Sequence, residues 1–466
     1  MTITKNLILL GMISGFVTTA QAQNETTYPK AEWDKAKVIL MHTPGEELFD
    51  GVIHPMAGLF EHYFDVDAAA DEHRNYIKQL EKKGIKVYNV ADILNEIDMD
   101  TLRALAGKTL TYDISNVNKR DTAACGQVYR QKVLGQMTRK DLIRCLLFQP
   151  TVKMRSVDNN TGIEADYIHH SLMNLYFTRD QSITTPRGHI ISNMNSAQRL
   201  PETRIIRSCY IHLGLSPILE IKGEGRLEGG DYIPAGTFSL IGCGMRTNME
   251  AIRQIMEADA FGHDTIVVVN DHKLWQMQMH LDTYFNIMDK DLCTLVSSRL
   301  NAKPDQPEYV TADVYAREHG SKEYRLISKD LPFVDFLKKK GFSIIPINEN
   351  DELHYANNYL TISPRHVMMV GGQSSELELA LKNNGVKAEW IPLENLIDGY
   401  GAAHCMTQVL LRESSPTTPT AIKSLHGTNE ASDNGDTYDL QGIKVKKNSA
   451  GKIHIKNRKK ILVGKR

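Results

Sequence analysis

The sequence predicts an α/β protein built from repeated units. Three observations carry that prediction: a helix, glycine, strand phrase that recurs along the chain, short apolar strands ahead of most of its copies, and 466 residues with 41% hydrophobic content, enough for a large core. Strands alternating with helices call for crossover connections, which lay helices over the sheets.

The first unit opens with Val38 to Met41 as a strand. Asp67 to Lys83 then sets Ala69, Ala70, His73, Tyr76, Ile77 and Leu80 at the spacing of one helical face. Gly84 stands where helices end in a left-handed residue, and Ile85 to Val90 alternates as a strand. Glu202 to Leu213 followed by Pro217 to Ile221 is a weaker copy. Thr247, with Glu250 as its capping partner, leads through Ile255 to the strand Thr265 to Val269, without the glycine. The full phrase returns as Phe333 to Lys340, Gly341, Phe342 to Ile347, and as Ser375 to Asn384, Gly385, Val386 to Ile391, opened by a Ser375 to Glu378 capping box. Ile190-Ile191, Ser239 to Cys243, Tyr359 to Ile362 and Val367 to Val370 supply preceding strands.

Two stretches break the pattern. From about Asp92 to Thr151 the sequence reads as a mainly helical insertion into the first unit, and Ser297 to Asp330 as a polar surface excursion. At the start, Lys5, the apolar run Leu7 to Val17 and Ala20-Gln21-Ala22 are the parts of a signal peptide cleaved after Ala22, which predicts an exported protein, periplasmic or secreted. The apolar run is too short to span a membrane comfortably. At the other end, residues 414–435 are rich in Ser, Thr, Pro, Asn and Gly and read as a disordered linker. Residues 436–466 form a basic appendage with alternating apolar residues, open to a small β module, a tail read by secretion machinery, or a solvated end. A net charge of -1 offers no argument for a nucleic-acid partner, and six dispersed cysteines are too few for a disulfide-built scaffold.

The chemistry gathers in four strings: Asn174 to Asp180, Glu228-Gly229-Gly230-Asp231, His280-Leu281-Asp282-Thr283, and the loop Gly399 to Thr407 around Cys405. Small residues before Cys405 let a ligand approach, and a thiol there can attack an electrophile if an acid and base are near. His404 is adjacent, but on an extended segment neighbouring side chains point apart, so the partner is expected elsewhere. On an extended segment His280 and Asp282 share a face, and the glycines after Glu228 permit a tight turn holding an acid at a cavity rim. Each string alone has an ordinary reading as a turn, a cap or a surface pair.

Together, in order and spacing, they resemble the arginine deiminase family of guanidino-modifying enzymes, over Lys37 to about Leu410. The resemblance implies a five-bladed, pseudo-symmetric α/β propeller with a helical insertion in the first blade (about 92–151), residues 23–413 forming the deiminase catalytic domain behind the leader 1–22. It implies hydrolysis of free L-arginine to citrulline and ammonia. Asp180 and Asp282 would bind the planar guanidinium, and Glu228 would sit beside it and His280. Cys405 would attack, with His280 donating a proton to ammonia and then activating water. Carboxylates around His280 should raise its pKa. Asn174, Arg199 and Arg246 would surround the substrate carboxylate, with Asn358 a further polar contact. Neither cofactor nor metal is implied, and a homo-oligomer is left open.

Some relatives carry an arginine five residues before the cysteine, where this chain has Tyr400, so no gating arginine is assumed. Export departs from the usual cytoplasmic setting. Alternatives are a deiminase acting on agmatine, methylated arginine or peptidyl arginine, a metal hydrolase using His280 and Asp282, and a non-catalytic surface-binding relative. Arg199 and Arg246 argue against agmatine, the lack of a second spaced histidine pair against metal, and the intact catalytic positions against the last.

Overall fold

The computed structural model describes residues 26–158 and 161–413, with the backbone of three short strands between residues 437 and 462. The chain divides into two compact units between Pro416 and Thr417.

In the larger unit the predicted phrase is a repeated module. Lys35–Met41 pairs in parallel with Lys86–Asn89 across the helix Val66–Lys82, and antiparallel with Gln408–Glu413. Asp65 starts that helix by accepting from the Ala68 N–H at 2.9 Å, and Ala69, Ala70, His73, Tyr76 and Leu80 are buried along one face. Gly84 follows with φ 76°, and a Cβ there would meet nothing within 4 Å, so the left-handed backbone alone accounts for the glycine.

Four further modules place an antiparallel pair before the helix and a parallel strand after it. They are Ser182–Thr185, Gly188–Ile191 and Leu219–Glu220 around helix Glu202–His212; Tyr232–Pro234, Ser239–Cys243 and Thr265–Asn270 around Met249–Glu257; Phe285–Asp289, Leu292–Val296 and Ser343–Ile347 around Phe333–Lys339; and Leu360–Ser363, His366–Val370 and Lys387–Ile391 around Ser375–Asn383. The leading strands are almost wholly buried, while the trailing strands Ser343–Ile347 and Lys387–Ile391 are half-exposed. The first module receives its antiparallel partner from the last strand, Gln408–Glu413, and this brings the loop around Cys405 back against the start of the fold.

Several expectations are corrected. The stretch from Asp92 to Thr151 holds helices, but also the strand Thr111–Asn116, which pairs with Thr151–Ser156 and through it with Ile163–Ile168. That strand has no fully buried residue, so no core face imposed the apolar alternation that would reveal it. The polar excursion from Ser297 to Asp330 contributes the strands Thr311–Ala316 and Arg325–Pro332, which extend the sheet of Thr265–Asn270; the latter is a mostly exposed edge, hence its polarity. Two helix caps lie one residue from the expected positions: Ser374 caps Leu377, and Asn248 caps Ala251.

All six cysteines are unpaired. Among the described residues no helix is long and apolar enough to cross a membrane. The leader and the linker lie outside the described residues. In the appendage Ile453–Lys456 pairs antiparallel with Thr437–Tyr438 and Lys459–Leu462.

Candidate active site

Cys405 sits in a turn ahead of the strand Gln408–Glu413, with the Met406 N–H donating to Ala402 O at 3.1 Å. Asn358 shapes this turn. Its Oδ1 accepts the N–H groups of Ala402 (2.8 Å) and Cys405 (3.0 Å), and its Nδ2 donates to the Cys405 Sγ at 3.1 Å. Its Nδ2 also donates to the Asp282 carbonyl at 3.2 Å, so Asn358, expected as a substrate contact, has both polar atoms engaged within the protein. The Sγ lies 3.6 Å from Asp282 Oδ2 and 3.9 Å from Oδ1. Burial pushes the thiol pKa well above its usual value, and the Asp282 and Asp180 carboxylates push it further, against the Asn358 hydrogen bond and the Arg179 cation.

The turn overrules the expectation that His404 points away from the chemistry. Residues 404 and 405 are not extended, so both side chains converge on Asp282: His404 Nδ1 meets Asp282 Oδ2 at 2.6 Å. Burial would raise the Asp282 pKa, but this bond and the nearby cations lower it, and the carboxylate stays ionised.

His280 precedes a single helical turn, Leu281–Tyr284, rather than lying on an extended strand; its carbonyl accepts from Thr283 Oγ1 at 2.7 Å. Its Nε2 meets Glu228 Oε2 at 2.9 Å and its Nδ1 faces Asp180 Oδ1 at 3.8 Å. Burial works against the imidazolium, yet Asp180, Glu228 and Asp231 outweigh it and raise the pKa to about 9. Burial likewise disfavours the Glu228 carboxylate, but His280, Arg246 and Arg199 hold it at about 2. The glycines after Glu228 serve close approach: a Cβ on Gly230 would lie 2.7 Å from His280 Nδ1, and one on Gly229 would collide with the Arg179 carbonyl. Asp231, which the sequence reading left without a role, accepts the Leu281 N–H at 3.0 Å and so seats the His280 turn.

Asp180 Oδ2 accepts Arg199 Nη1 at 2.7 Å, while Oδ1 has no hydrogen-bond partner although buried. Arg199 also grips Glu202 through Nε (3.1 Å) and Nη2 (3.0 Å) and reaches the carbonyls of Asn174 and Phe177. Expected at a substrate carboxylate, Arg199 has its charge met by two buried acids, one of them Glu202 three residues further on. Arg246 is less committed, with Nη1 3.6 Å from Glu228 and Nη2 donating to Gln276 at 3.0 Å. Asn174 Oδ1 accepts from Gln198 at 3.2 Å. Arg179, also unassigned from sequence, is buried, and its Nε donates to the His404 carbonyl at 3.2 Å.

Asp180, Glu228 and His280 place donor atoms within 4.8 Å of one another, close enough to suit a metal ion. Each member already faces a counter-charge: Arg199 on Asp180, Arg246 on Glu228, and the two acids on His280. The set is balanced without an ion. What it lacks is a hydrogen bond to Asp180 Oδ1, and Asp180 and Asp282 both act on the Cys405 thiol. These features define a cysteine-based site for a small planar cation.

Comparison with known proteins agrees. The family model for arginine deiminase matches residues 57–412. The arginine deiminase of Halobacterium salinarum is 27% identical over 477 residues, covering 82% of this chain and 96% of that protein. That of Metamycoplasma arthritidis is 24% identical over 410 residues, covering 82% and 96%. Among solved structures, dimethylarginine dimethylaminohydrolase from Pseudomonas aeruginosa complexed with citrulline superposes with a TM-score of 0.48 at 16% identity, covering 80% of this chain and 99% of that one. The chain belongs to the arginine deiminase family.

Proposed function

We propose that this chain hydrolyses free L-arginine to L-citrulline and ammonia through a covalent Cys405 intermediate. The observation that carries the reading is the buried Cys405 thiol beside Asp282, with Asp180 Oδ1 unpartnered and turned to a His280 whose pKa is raised to about 9.

A guanidinium bound between Asp180 and Asp282 supplies the cation those carboxylates lack. It thereby offsets the two charges that hold the thiol protonated, so substrate binding itself favours the thiolate, the thiol proton passing to solvent. Attack of sulfur on the guanidino carbon forms the C–S bond. His280, protonated at neutral pH, gives its proton to the departing nitrogen, and ammonia leaves an amidino-thioether. The neutral His280 then takes a proton from water, whose oxygen bonds to the same carbon; the C–S bond breaks and citrulline leaves. Glu228 holds His280 throughout. Arg246, with Asn174, receives the α-carboxylate, and Arg199 fixes Asp180 against the guanidinium.

The five recurring sheets support the five-bladed propeller of the sequence reading, with the residue 92–151 insertion in the first blade. Export to the periplasm or beyond is supported by the leader ending Ala20-Gln21-Ala22, and a tail recognised by secretion machinery by the basic residues after Tyr438. The test is to incubate the mature protein with arginine, agmatine and a blocked peptidyl arginine and to measure citrulline-type product and ammonia. Equal release of both from free arginine, with little from the other two, supports the reading; preference for either of the others overturns it.

A further inference from the structure

Behind the thiol lies a second line of buried charge that the proposed chemistry does not use. It runs from Asp282 to His404 (Nδ1 to Oδ2, 2.6 Å), from His404 Nε2 to Glu32 Oε1 (3.5 Å), and from Glu32 to the Arg412 guanidinium. All four side chains are buried, with no more than 2% exposure. Glu32 stands ahead of the stretch matched by the family model, on an N-terminal segment tied to the body by backbone bonds: Glu32 N–H to Pro234 O at 2.8 Å and Gly236 N–H to Lys30 O at 2.9 Å. Arg412 is fixed from its other side by the carbonyls of Asp34 (2.6 Å) and Thr361 (2.7 Å). Burying two carboxylates, an imidazole and a guanidinium is costly unless each is paired, so the line's integrity depends on every member.

We propose that Glu32 and His404 are positioning residues that pin the Asp282 carboxylate, committing Oδ2 to His404 so that the group keeps one orientation toward Cys405 and the incoming cation. The N-terminal segment is thus a working part of the site. The proposal rests on Asp282 and Cys405 being the reacting pair.

The mechanical consequence is specific. A carboxylate with one oxygen held cannot rotate, and a misplacement of about 1 Å at a reacting group can cost about a hundredfold in rate. Without the imidazole, Asp282 loses its compensating partner and bears more heavily on the thiol. The charged groups facing this pair are Asp180 and Arg179 beside Cys405, and Glu32, Arg179 and Arg412 around His404.

The test is a double-mutant cycle on the full mature chain with Glu32→Gln, His404→Gln and His404→Ala, with two readouts. The first is kcat and KM for arginine. His404→Ala should lower kcat/KM about tenfold to a hundredfold, with His404→Gln, which keeps a donor, recovering part of the loss. Glu32→Gln should cost about threefold to tenfold alone, yet almost nothing once His404 is alanine, because it acts through that ring. The second readout needs no substrate: the pH dependence of iodoacetamide alkylation at Cys405, followed by peptide mass spectrometry. In His404→Ala its midpoint should move upward. Additive losses in the cycle, or an unmoved alkylation midpoint in a folded His404→Ala protein, overturn the proposal. If arginine proves not to be the substrate, the alkylation profile still decides it.

Discussion

Among the described residues two imidazoles, His280 and His404, are each set between two buried carboxylates, and they are put to different use. His280 lies between Glu228 at 2.9 Å and Asp180 at 3.8 Å; His404 lies between Asp282 at 2.6 Å and Glu32 at 3.5 Å. An arginine backs each line as well, Arg199 behind Asp180 and Arg412 behind Glu32. The difference is in how the far end of each line is held. The His280 line ends in Asp180, whose Oδ1 has no hydrogen bond and whose carboxylate also acts on the Cys405 thiol. The line through His404 ends in Arg412, whose Nη1 and Nη2 are met by two carbonyls and Glu32. The same electrostatic device therefore serves as an acid where the imidazole's pKa is raised to about 9, and as a brace where the far end is an arginine tied to two backbone carbonyls, although His404 Nε2 and Arg412 Nε have no hydrogen-bond partner.

The comparison is broken most severely at the thiol that both lines serve. Cys405→Ser should lower citrulline formation by about a thousandfold or more while leaving arginine binding measurable, because a neutral hydroxyl is a far weaker nucleophile than a thiolate. Calorimetric titration with arginine and a citrulline assay on the same preparation check both halves.

At the far end of the substrate, Arg246→Ala should change the ratio of kcat/KM for arginine over agmatine by about tens-fold to a thousandfold, since agmatine lacks the carboxylate that Arg246 is placed to meet. An unchanged ratio would mean that the carboxylate lies elsewhere, and Arg199 would have to give up an acid to receive it.

Glu228→Gln sharpens the contrast between acid and brace. Removing one of the carboxylates that hold His280 at about 9 should bring the alkaline limb of the kcat profile down toward neutrality and lower the maximum about tenfold to a hundredfold. Glu32→Gln, on the brace, should leave that alkaline limb in place.

The smallest effect is on stability, and its sign differs between histidines. His280 has a folded pKa of about 9 against 6.5, so its contribution is full below pH 6.5 and is lost as pH rises through 9. Burial lowers His73 to about 3 and His189 and His263 to about 4. These three stay neutral in the folded chain while the unfolded chain takes up protons, so their contribution is present above pH 6.5 and drains away as pH falls toward 3. Thermal melts should give a plateau near neutrality that falls on the acid side as these three histidines take up protons and on the alkaline side as His280 loses its own.

How far the sequence revealed all this follows the same division. The repeated helix, glycine, strand phrase was legible because each copy buries one face and must carry its periodicity, as Ala69, Tyr76 and Leu80 do. Asp180, Glu228, His280, Asp282 and Cys405 were legible as strings, and the structure brings them together. The strand Thr111–Asn116 was not, since it has no fully buried residue to mark its period. Nor was the His404 line: reading residues 404 and 405 as extended sends their side chains apart, and only a turn closed from Ala402 to Met406 turns both to Asp282. Glu32 and Arg412 are 380 residues apart, and nothing local to either announces the other. Arg199 is a different case. Its spacing to Glu202 was visible, but an arginine near an acid in sequence does not say whether that acid or a ligand will claim it.

The central claim is that arginine passes through a covalent bond to Cys405. The most direct measurement is acid quenching during steady turnover of arginine, followed by peptide mass spectrometry of the mature protein. The account predicts that the Cys405 peptide gains the mass of arginine less ammonia, and that the adduct decays with the release of citrulline once arginine is exhausted. Turnover with the Cys405 peptide unmodified, or an adduct on another residue, would contradict it.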